Sequence, residues 1–206
     1  GGNGAGDASN QLNRPMGIYV DAAGDMYVSD SYFNHRIQKW VSGATTGTTV
    51  AGGNGYGTAS NQLYQPMGIH VDASGNMYIS DSSNNRIQKW APGATTGITV
   101  AGGIGQGSLN RPTDVYVDAS GYMYICEASS SRISKWAPGA SSGITIASGA
   151  LSNPYSIYVD SSGNIYIADS FNHRIQKNQI APQIIIKSGE ITGQLTITGI
   201  ADTSDE

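Results

Sequence analysis

Charged side chains are scarce in this 206-residue chain, in which they make up 13% of the residues. That is about half the share usual for a soluble domain. Lys and Arg number 11 against 15 Asp and Glu, which gives a net charge of −4 at pH 7. So few cations leave little material for a basic patch that could attract a phosphate backbone. We therefore expect no nucleic-acid partner, and RNA binding is the least favoured of the possible functions.

Cysteine and long apolar runs are also nearly absent. The single cysteine, Cys126, cannot form a disulfide within the chain. It stands in an alternating apolar segment, which favours a buried and unreactive thiol. No apolar run approaches the roughly 20 residues that a transmembrane helix needs, so we expect no insertion into a membrane.

Glycine, by contrast, is plentiful at 28 residues, and the chain repeats itself at intervals of about 45 residues. Three short segments recur four times and a fourth recurs three times. They lie at 18–21, 69–72, 115–118 and 157–160; at 26–30, 77–81, 123–127 and 165–169; at 36–40, 86–90, 132–136 and 174–178; and at 48–50, 98–100 and 144–146.

Each repeat has the local chemistry of β-structure. The segments are short and rich in Val, Ile, Tyr and Thr, and none keeps a helical period. Between the first two segments, Asp21 and Gly24 supply the chemistry of a tight hairpin loop. A four-stranded antiparallel sheet of this size cannot bury both of its faces alone. Stacking the sheets around an axis solves that problem, so the sequence predicts an all-β fold, a β-propeller of four-stranded antiparallel blades.

The repeat resembles a known family. The runs 15–21 and 24–30, followed by Asn34-His35-Arg36-Ile37-Gln38, are similar to an NHL repeat, and three further copies follow. The third copy departs most, with Glu127, Ser130 and Ser131 at motif positions. The resemblance covers about residues 1–180, with blades at about 7–53, 54–103, 104–149 and 150–180.

NHL propellers usually have six blades, so the resemblance implies a larger ring from which about two blades are missing. Residues 181–206 are expected to form a tail that supplies a last outer strand, at Ile184–Ile186, or opens a second β domain. From Ser188 onward this tail weakly resembles a Calx-β-type module. An open array of blades would expose two apolar faces, which favours self-association.

Several prominent residues recur in every repeat. An arginine begins the third segment and follows an acidic residue by five or six positions, which predicts a structural ion pair that fixes register. These pairs are Asp30 with Arg36, Asp81 with Arg86, Glu127 with Arg132, and Asp169 with Arg174. The recurring Trp40, Trp90 and Trp136 are predicted to pack between blades, and the alternative is an exposed aromatic row that stacks on sugars.

Catalytic residues are harder to find. His35 and His173 occupy the same motif position, and only His70 lies on a predicted inner strand. Some NHL relatives are zinc-dependent lyases, but a catalytic zinc usually has three protein ligands, often His. The aspartates that begin the hairpin loops could bind Ca²⁺, although their regular placement favours turn stabilisation. We predict no catalytic residue and no metal or cofactor, and Ca²⁺ or Zn²⁺ is the alternative.

A non-catalytic binding or scaffold module therefore fits the sequence best. We expect it to belong to a larger secreted or cell-surface protein and to bind a protein or a glycan through a propeller face. The candidate contacts are aromatic residues in predicted turns: Tyr32, Phe33, Tyr56, Tyr64 and Tyr122. The alternative is a propeller enzyme, a lyase or lactonase-like hydrolase with a metal at the central channel.

Overall fold

A computed structural model of the chain describes residues 3–103 and 107–179, which form fifteen β-strands and three one-turn 3₁₀ helices. The first two blades contain β1 (Pro15–Val20), β2 (Met26–Asp30), β3 (Arg36–Trp40), β4 (Thr48–Gly52), β5 (Pro66–Val71), β6 (Met77–Asp81), β7 (Arg86–Trp90) and β8 (Ile98–Gly102). The other two contain β9 (Pro112–Val117), β10 (Met123–Glu127), β11 (Arg132–Trp136), β12 (Ile144–Ala147), β13 (Pro154–Val159), β14 (Asn164–Asp169) and β15 (Arg174–Gln179).

The strands pair in sequence order within separate sheets. Three sheets have four antiparallel strands, and the fourth has three within the described residues. The all-β fold and the propeller arrangement are confirmed, and the six-bladed ring stays a prediction. The outer strand proposed at Ile184–Ile186 and the Calx-β-type tail lie outside the described residues. No helix in the described ranges is long and apolar enough to cross a membrane.

Two kinds of connection alternate at opposite ends of the strands. Tight hairpins join the first strand of each blade to the second, and we call their side of the propeller the hairpin face. Short turns join the second strand to the third on the other side, which we call the motif face. In blades two to four these turns are 3₁₀ helices at Ser82–Asn84, Ala128–Ser130 and Ser170–Asn172. The residue after each turn has a left-handed backbone conformation, with φ of 48–54° at His35, Asn85, Ser131 and His173.

Apolar side chains fill the space between successive blades. The first two strands of a blade present one row to the blade before it, as Ile69, Val71 and Met77 do in blade two. On the preceding blade, Tyr27 and Ile37 pack against this row. The same register returns at the next two interfaces. Since each blade uses one apolar face in each direction, the repeat buries surface that a single sheet could not.

Two of the recurring tryptophans, Trp90 and Trp136, belong to these interfaces. Trp40, Trp90 and Trp136 are all buried. Trp90 lies against Gly97, where an added methyl group would clash with the indole nitrogen. The alternative in which these rings form an exposed row for sugars is therefore wrong, because all three rings are buried.

The first blade has no described neighbour on one side. Its Ile18 is 64% exposed, whereas Ile69, at the same register in blade two, is 6% exposed. Val20 and Met26 are likewise exposed, although their counterparts in later blades are buried. An apolar interblade surface is thus open to solvent in the described structure.

Candidate functional site

Each acidic residue of the motif is buried and accepts several hydrogen bonds. In blade two, the Asp81 carboxylate accepts from the Nε of Arg86 at 2.7 Å, the Nδ2 of Asn84 at 2.8 Å and the backbone N–H of Tyr64 at 2.6 Å. Arg86 also donates to the carbonyls of Thr58, Ala59 and Gln62 in the linker from blade one. The pair therefore fastens the interblade linker to the blade that follows it.

The other blades repeat this clamp with small changes. The ion pairs of Arg36 with Asp30 and of Arg174 with Asp169 both measure 2.8 Å. Blade three carries Glu127, whose longer side chain accepts two hydrogen bonds from Arg132 and one from Ser134. Because this charge-assisted clamp recurs in every blade, it serves the architecture of the propeller. Its hydrogen bonds already engage these carboxylates.

The hairpin aspartates stabilise their own turns. Asp72 Oδ1 accepts from the backbone N–H groups of Ser74 and Asn76, both at 2.9 Å. Burial acts to raise the pKa of Asp72, but hydrogen bonds from Asn76 and Ser74 outweigh it and hold the pKa below its usual value. Asp21, Asp118 and Asp160 accept the same pair of backbone bonds. All four residues place a carboxylate at the hairpin face.

A row of aromatic rings crosses the inner strands next to these carboxylates. Tyr19, His70, Tyr116 and Tyr158 occupy the same register, one in each blade. The ring centroids are 5.3 Å apart from Tyr19 to His70, 4.9 Å from His70 to Tyr116, and 6.3 Å from Tyr116 to Tyr158. We call this set the axial row. Such tilted contacts are favourable arrangements for aromatic pairs.

Three members of the axial row, Tyr19, His70 and Tyr116, line an open cavity of about 630 Å³ on the hairpin face, which we call the axial cavity. Tyr158 lies beside Tyr116 at the edge of this cavity. Tyr19, His70 and Tyr116 form one part of its wall, and Tyr27 and Tyr78 form another. Three carboxylates, those of Asp21, Asp72 and Asp118, stand at its rim, and no Lys or Arg is among its described lining residues.

Burial and the nearby carboxylates shift the pKa values of residues in the axial row. Burial lowers the pKa of His70 to about 4, against a smaller opposing effect of Asp72, so the imidazole is neutral at pH 7. Burial raises the pKa of Tyr116, and Tyr158 and Asp118 add to that rise. Within the described ranges, neither ring nitrogen of His70 has a hydrogen-bond partner. The imidazole is therefore free to donate or accept one bond in the cavity.

A second layer of tyrosines supports the axial row. Tyr27 lies opposite Tyr19 across β1 and β2, and Lys39 lies opposite Tyr27 on β3. The Lys39 ammonium stands 4.9 Å from the centroid of Tyr27 and 2.8 Å from the Asp25 carboxylate. The other blades repeat the lysine–tyrosine contact with Lys89, Lys135 and Lys177 over Tyr78, Tyr124 and Tyr166. These cations thus sit behind the second-strand rings.

The other end of the inner strands carries a second break in the repeat. Asp114 stands where the first two blades have Gly17 and Gly68 and where blade four has Ser156. Its carboxylate accepts from the Ser156 hydroxyl at 2.6 Å and from the Ile157 backbone N–H at 3.0 Å. It borders a smaller cavity of about 240 Å³. The carboxylate is fully engaged and joins blades three and four.

The predicted loop aromatics lie on both faces. Tyr32, Phe33, Tyr56 and Tyr64 are on the motif face, where Tyr56 and Tyr64 stack against each other with centroids 5.2 Å apart. Tyr56 is 66% exposed, and Tyr64 is half-buried beside His35. Tyr122 lies on the hairpin face under the Lys135 ammonium. The five residues therefore do not form a single surface.

Comparison with known protein families agrees with this geometry. A family model described as NHL repeat matches residues 151–177, which make up most of the described fourth blade. The other three blades carry the same motif and the same clamp. The fourth blade is thus an NHL repeat, and the chain is a β-propeller whose other blades repeat the motif of that blade. No curated protein is similar enough to this propeller to be matched.

Two solved structures are similar to this propeller in fold. A chain of a nidogen–laminin complex is 22% identical with a TM-score of 0.67, over 82% of this chain and 60% of that one. A streptogramin B lyase is 14% identical with a TM-score of 0.57, over 86% of this chain and 57% of that one. This propeller thus spans about three fifths of each of these two chains, and these likenesses establish the fold alone.

No group of three or more His, Cys, Asp or Glu side chains in the described residues is placed to hold a metal ion. The expectation about metals and cofactors stays a prediction. Cys126 is buried at the interface of blades three and four, and burial raises the pKa of its thiol well above the usual value. A thiol in that state is a poor nucleophile.

Proposed function

We propose that this propeller is a non-catalytic module that binds a protein partner at the axial cavity. The observation that supports the proposal is the axial row, three of whose rings line an open cavity of about 630 Å³ on the hairpin face. Tyrosine is enriched in protein interfaces because it offers a large apolar area and a polar tip at a low entropic cost. The fold likeness to a chain of a nidogen–laminin complex supports a protein as the partner.

The chemistry of the cavity also supports binding over catalysis. Catalysis by a nucleophile requires an activated group within hydrogen-bond reach of a base. The one imidazole in the axial row, that of His70, is neutral and a weak base, and the described lining residues present no Cys or Lys beside it. A lyase or lactonase-like hydrolase remains the competing function, supported by the fold likeness to a streptogramin B lyase.

Site-specific photo-crosslinking tests where the partner binds. A benzoylphenylalanine replaces Tyr158, which is 61% exposed and lies beside Tyr116 at the edge of the axial cavity, in the full-length protein expressed in its native host. Phe171 is 70% exposed on the motif face of the same blade and is the matched control position. We expect one protein to crosslink at position 158 and not at 171. No crosslink at 158, or equal crosslinking at both, contradicts the proposal.

The loop aromatics define a second contact region for the same experiment. We propose the Tyr56–Tyr64 pair on the motif face as a secondary contact, and position 56 is tested as a third crosslinking site. A crosslink at 56 alone would move the binding surface to the motif face. A captured species that loses its mass shift on deglycosylation would identify a glycan as the contact.

An extracellular or cell-surface setting is part of the proposal. The burial of the single cysteine suits an oxidising environment, because its thiol is not exposed to oxidants. Protease treatment of intact native cells tests this. We expect the propeller to be cleaved without lysis, and full protection until lysis would contradict a surface location.

A further inference from the structure

We infer that the axial cavity takes a cationic side chain, a guanidinium or an ammonium, from a basic segment of the partner protein. This inference rests on the proposed function and names the chemistry of the group that enters the cavity. Three features support it: the faces of the axial row, the carboxylates at the rim, and the break in the repeat at His70.

The first feature is the set of aromatic faces in the axial row. The π-face of a tyrosine attracts a cation placed within about 6 Å of the ring centroid. The propeller already uses this contact four times, with Lys39, Lys89, Lys135 and Lys177 over the second-strand tyrosines. The rings of Tyr19 and Tyr116 in the axial row have no such partner in the described residues. They offer the same type of surface to a cation that comes from outside.

Charge complementarity is the second feature. Asp21, Asp72 and Asp118 stand at the rim, and the described lining residues include no cation to neutralise them. Backbone N–H groups donate to one oxygen of each carboxylate, and a neutral side chain, Tyr27, Asn76 or Tyr124, donates to the other. Because all of these donors are neutral, each group keeps its negative charge at the rim. The nearest lysines lie behind the second-strand rings, and Lys39 is paired with Asp25. A carboxylate-rimmed cavity with apolar walls focuses its field on a positively charged ligand.

The third feature is the residue that breaks the row. Three blades carry tyrosine at this register and the second carries His70. Residues that recur in every blade serve the architecture. A different residue in one blade, at a position that faces the axis, instead changes the shape of the cavity. Imidazole is smaller than phenol and lacks the hydroxyl, so it widens the space between Tyr19 and Tyr116. Because it is neutral at pH 7, it adds no charge that would repel a cation and can accept a hydrogen bond from it.

Short peptides test the inference directly. Four probes share an acetylated Gly-Ser framework and differ at the central residue, which is Arg, Lys, norleucine or Glu. Binding is followed through the ring signals of Tyr19 and Tyr116 in protein carrying labelled tyrosine. We expect the Arg and Lys peptides to shift both signals, more weakly at high salt, and the norleucine and Glu peptides to leave them unchanged.

Matched variants locate the charge that matters. The double variant Asp72→Asn/Asp118→Asn keeps the turn-forming oxygen and removes two rim charges. We expect it to weaken binding of the Arg peptide by about tenfold or more. Asp25→Asn removes a hairpin carboxylate that does not line the cavity, and we expect it to bind as the wild type does. Equal loss in both variants would contradict a specific role for the rim.

Failure of this inference is distinguishable from failure of the proposed function. If the Glu or norleucine peptide binds as well as the Arg peptide, or if no peptide shifts the ring signals, the cationic occupant is wrong. A partner that still crosslinks at position 158 would then leave the binding function in place. Absence of that crosslink, with the Arg peptide bound, would instead leave a cation site without a protein partner.

Discussion

The Arg86 Nε lies 2.7 Å from the Oδ2 of Asp81, and both side chains are buried. The guanidinium reaches beyond this pair to three linker carbonyls, and the carboxylate accepts from the linker N–H of Tyr64. The ion pair is thus the centre of a network that joins two blades. This network explains why the motif carries Asn and Arg, since Asn84 donates to the same carboxylate and to a linker carbonyl.

Replacing Arg86 with lysine tests this network. Arg86→Lys keeps the positive charge but cannot reach the carboxylate and the linker carbonyls together, because an ammonium lacks the planar fork. We expect a loss of about 2–4 kcal/mol in the free energy of unfolding, measured by urea denaturation. Arg111→Lys, at an exposed position, is the control and should change the stability by no more than about 0.5 kcal/mol. Equal effects in both variants would contradict the role of the clamp.

His70 makes a prediction about acid stability. Burial lowers its pKa from 6.5 to about 4, so the folded state resists protonation that the unfolded state accepts. Stability from this source is full above pH 6.5 and is lost as the pH falls toward 4. His70→Tyr, which restores the residue of the other blades, removes this contribution.

The comparison is made between wild type and variant. Their difference in free energy of unfolding should change by about 1–3 kcal/mol between pH 7 and pH 4, in favour of the variant at low pH. His35, whose pKa is also lowered by burial, remains in both proteins and cancels. A difference that stays constant across this range would show that the imidazole is not desolvated in the folded state.

The open face of blade one predicts self-association. Ile18 and Val20 match residues that are buried at every described interface, and Ile175 on blade four is exposed where Ile37 and Ile133 are buried. A second copy can place its fourth blade on this face and repeat the interblade packing head to tail. We expect sedimentation velocity of the isolated 206-residue chain to show association that increases with concentration.

Polar substitutions at that face should prevent the association. Ile18→Thr/Val20→Thr removes apolar area from the open face without disturbing a described interface. Ile98→Thr/Ile144→Thr alters two residues that are equally exposed on β8 and β12, and it serves as the control. Association that survives the first pair of substitutions, or is lost with the second, would place the contact elsewhere.

The sequence predicted the fold well because the repeat carries both the strand pattern and the turn chemistry. Asp21 and Gly24 predicted a hairpin, and the structure has one there. The central site was harder to predict. Tyr19, Tyr116 and Tyr158 looked like ordinary strand residues, because only the closure of the inner strands around an axis brings their rings together.

Asp114 was missed for a related reason. Its neighbours in space, Gly68 and Ser156, are distant in sequence, and no local rule connects them. One signal was available: aligning the repeats shows that His70 and Asp114 differ from their counterparts in the other blades. The loop aromatics were selected for exposure alone, and exposure does not determine which face a residue occupies. Tyr122, for example, lies on the hairpin face, whereas Tyr56 lies on the motif face.

The affinity of the crosslinked partner for two variants of blade four tests the central claim most directly. Tyr158→Ala removes the exposed axial-row ring that lies beside Tyr116 at the edge of the axial cavity, and Phe171→Ala removes a similarly exposed ring on the motif face. If the partner binds at the axial cavity, Tyr158→Ala weakens binding by about tenfold or more while Phe171→Ala binds as the wild type does. Unchanged affinity in Tyr158→Ala, or a loss confined to Phe171→Ala, would contradict binding at the axial cavity.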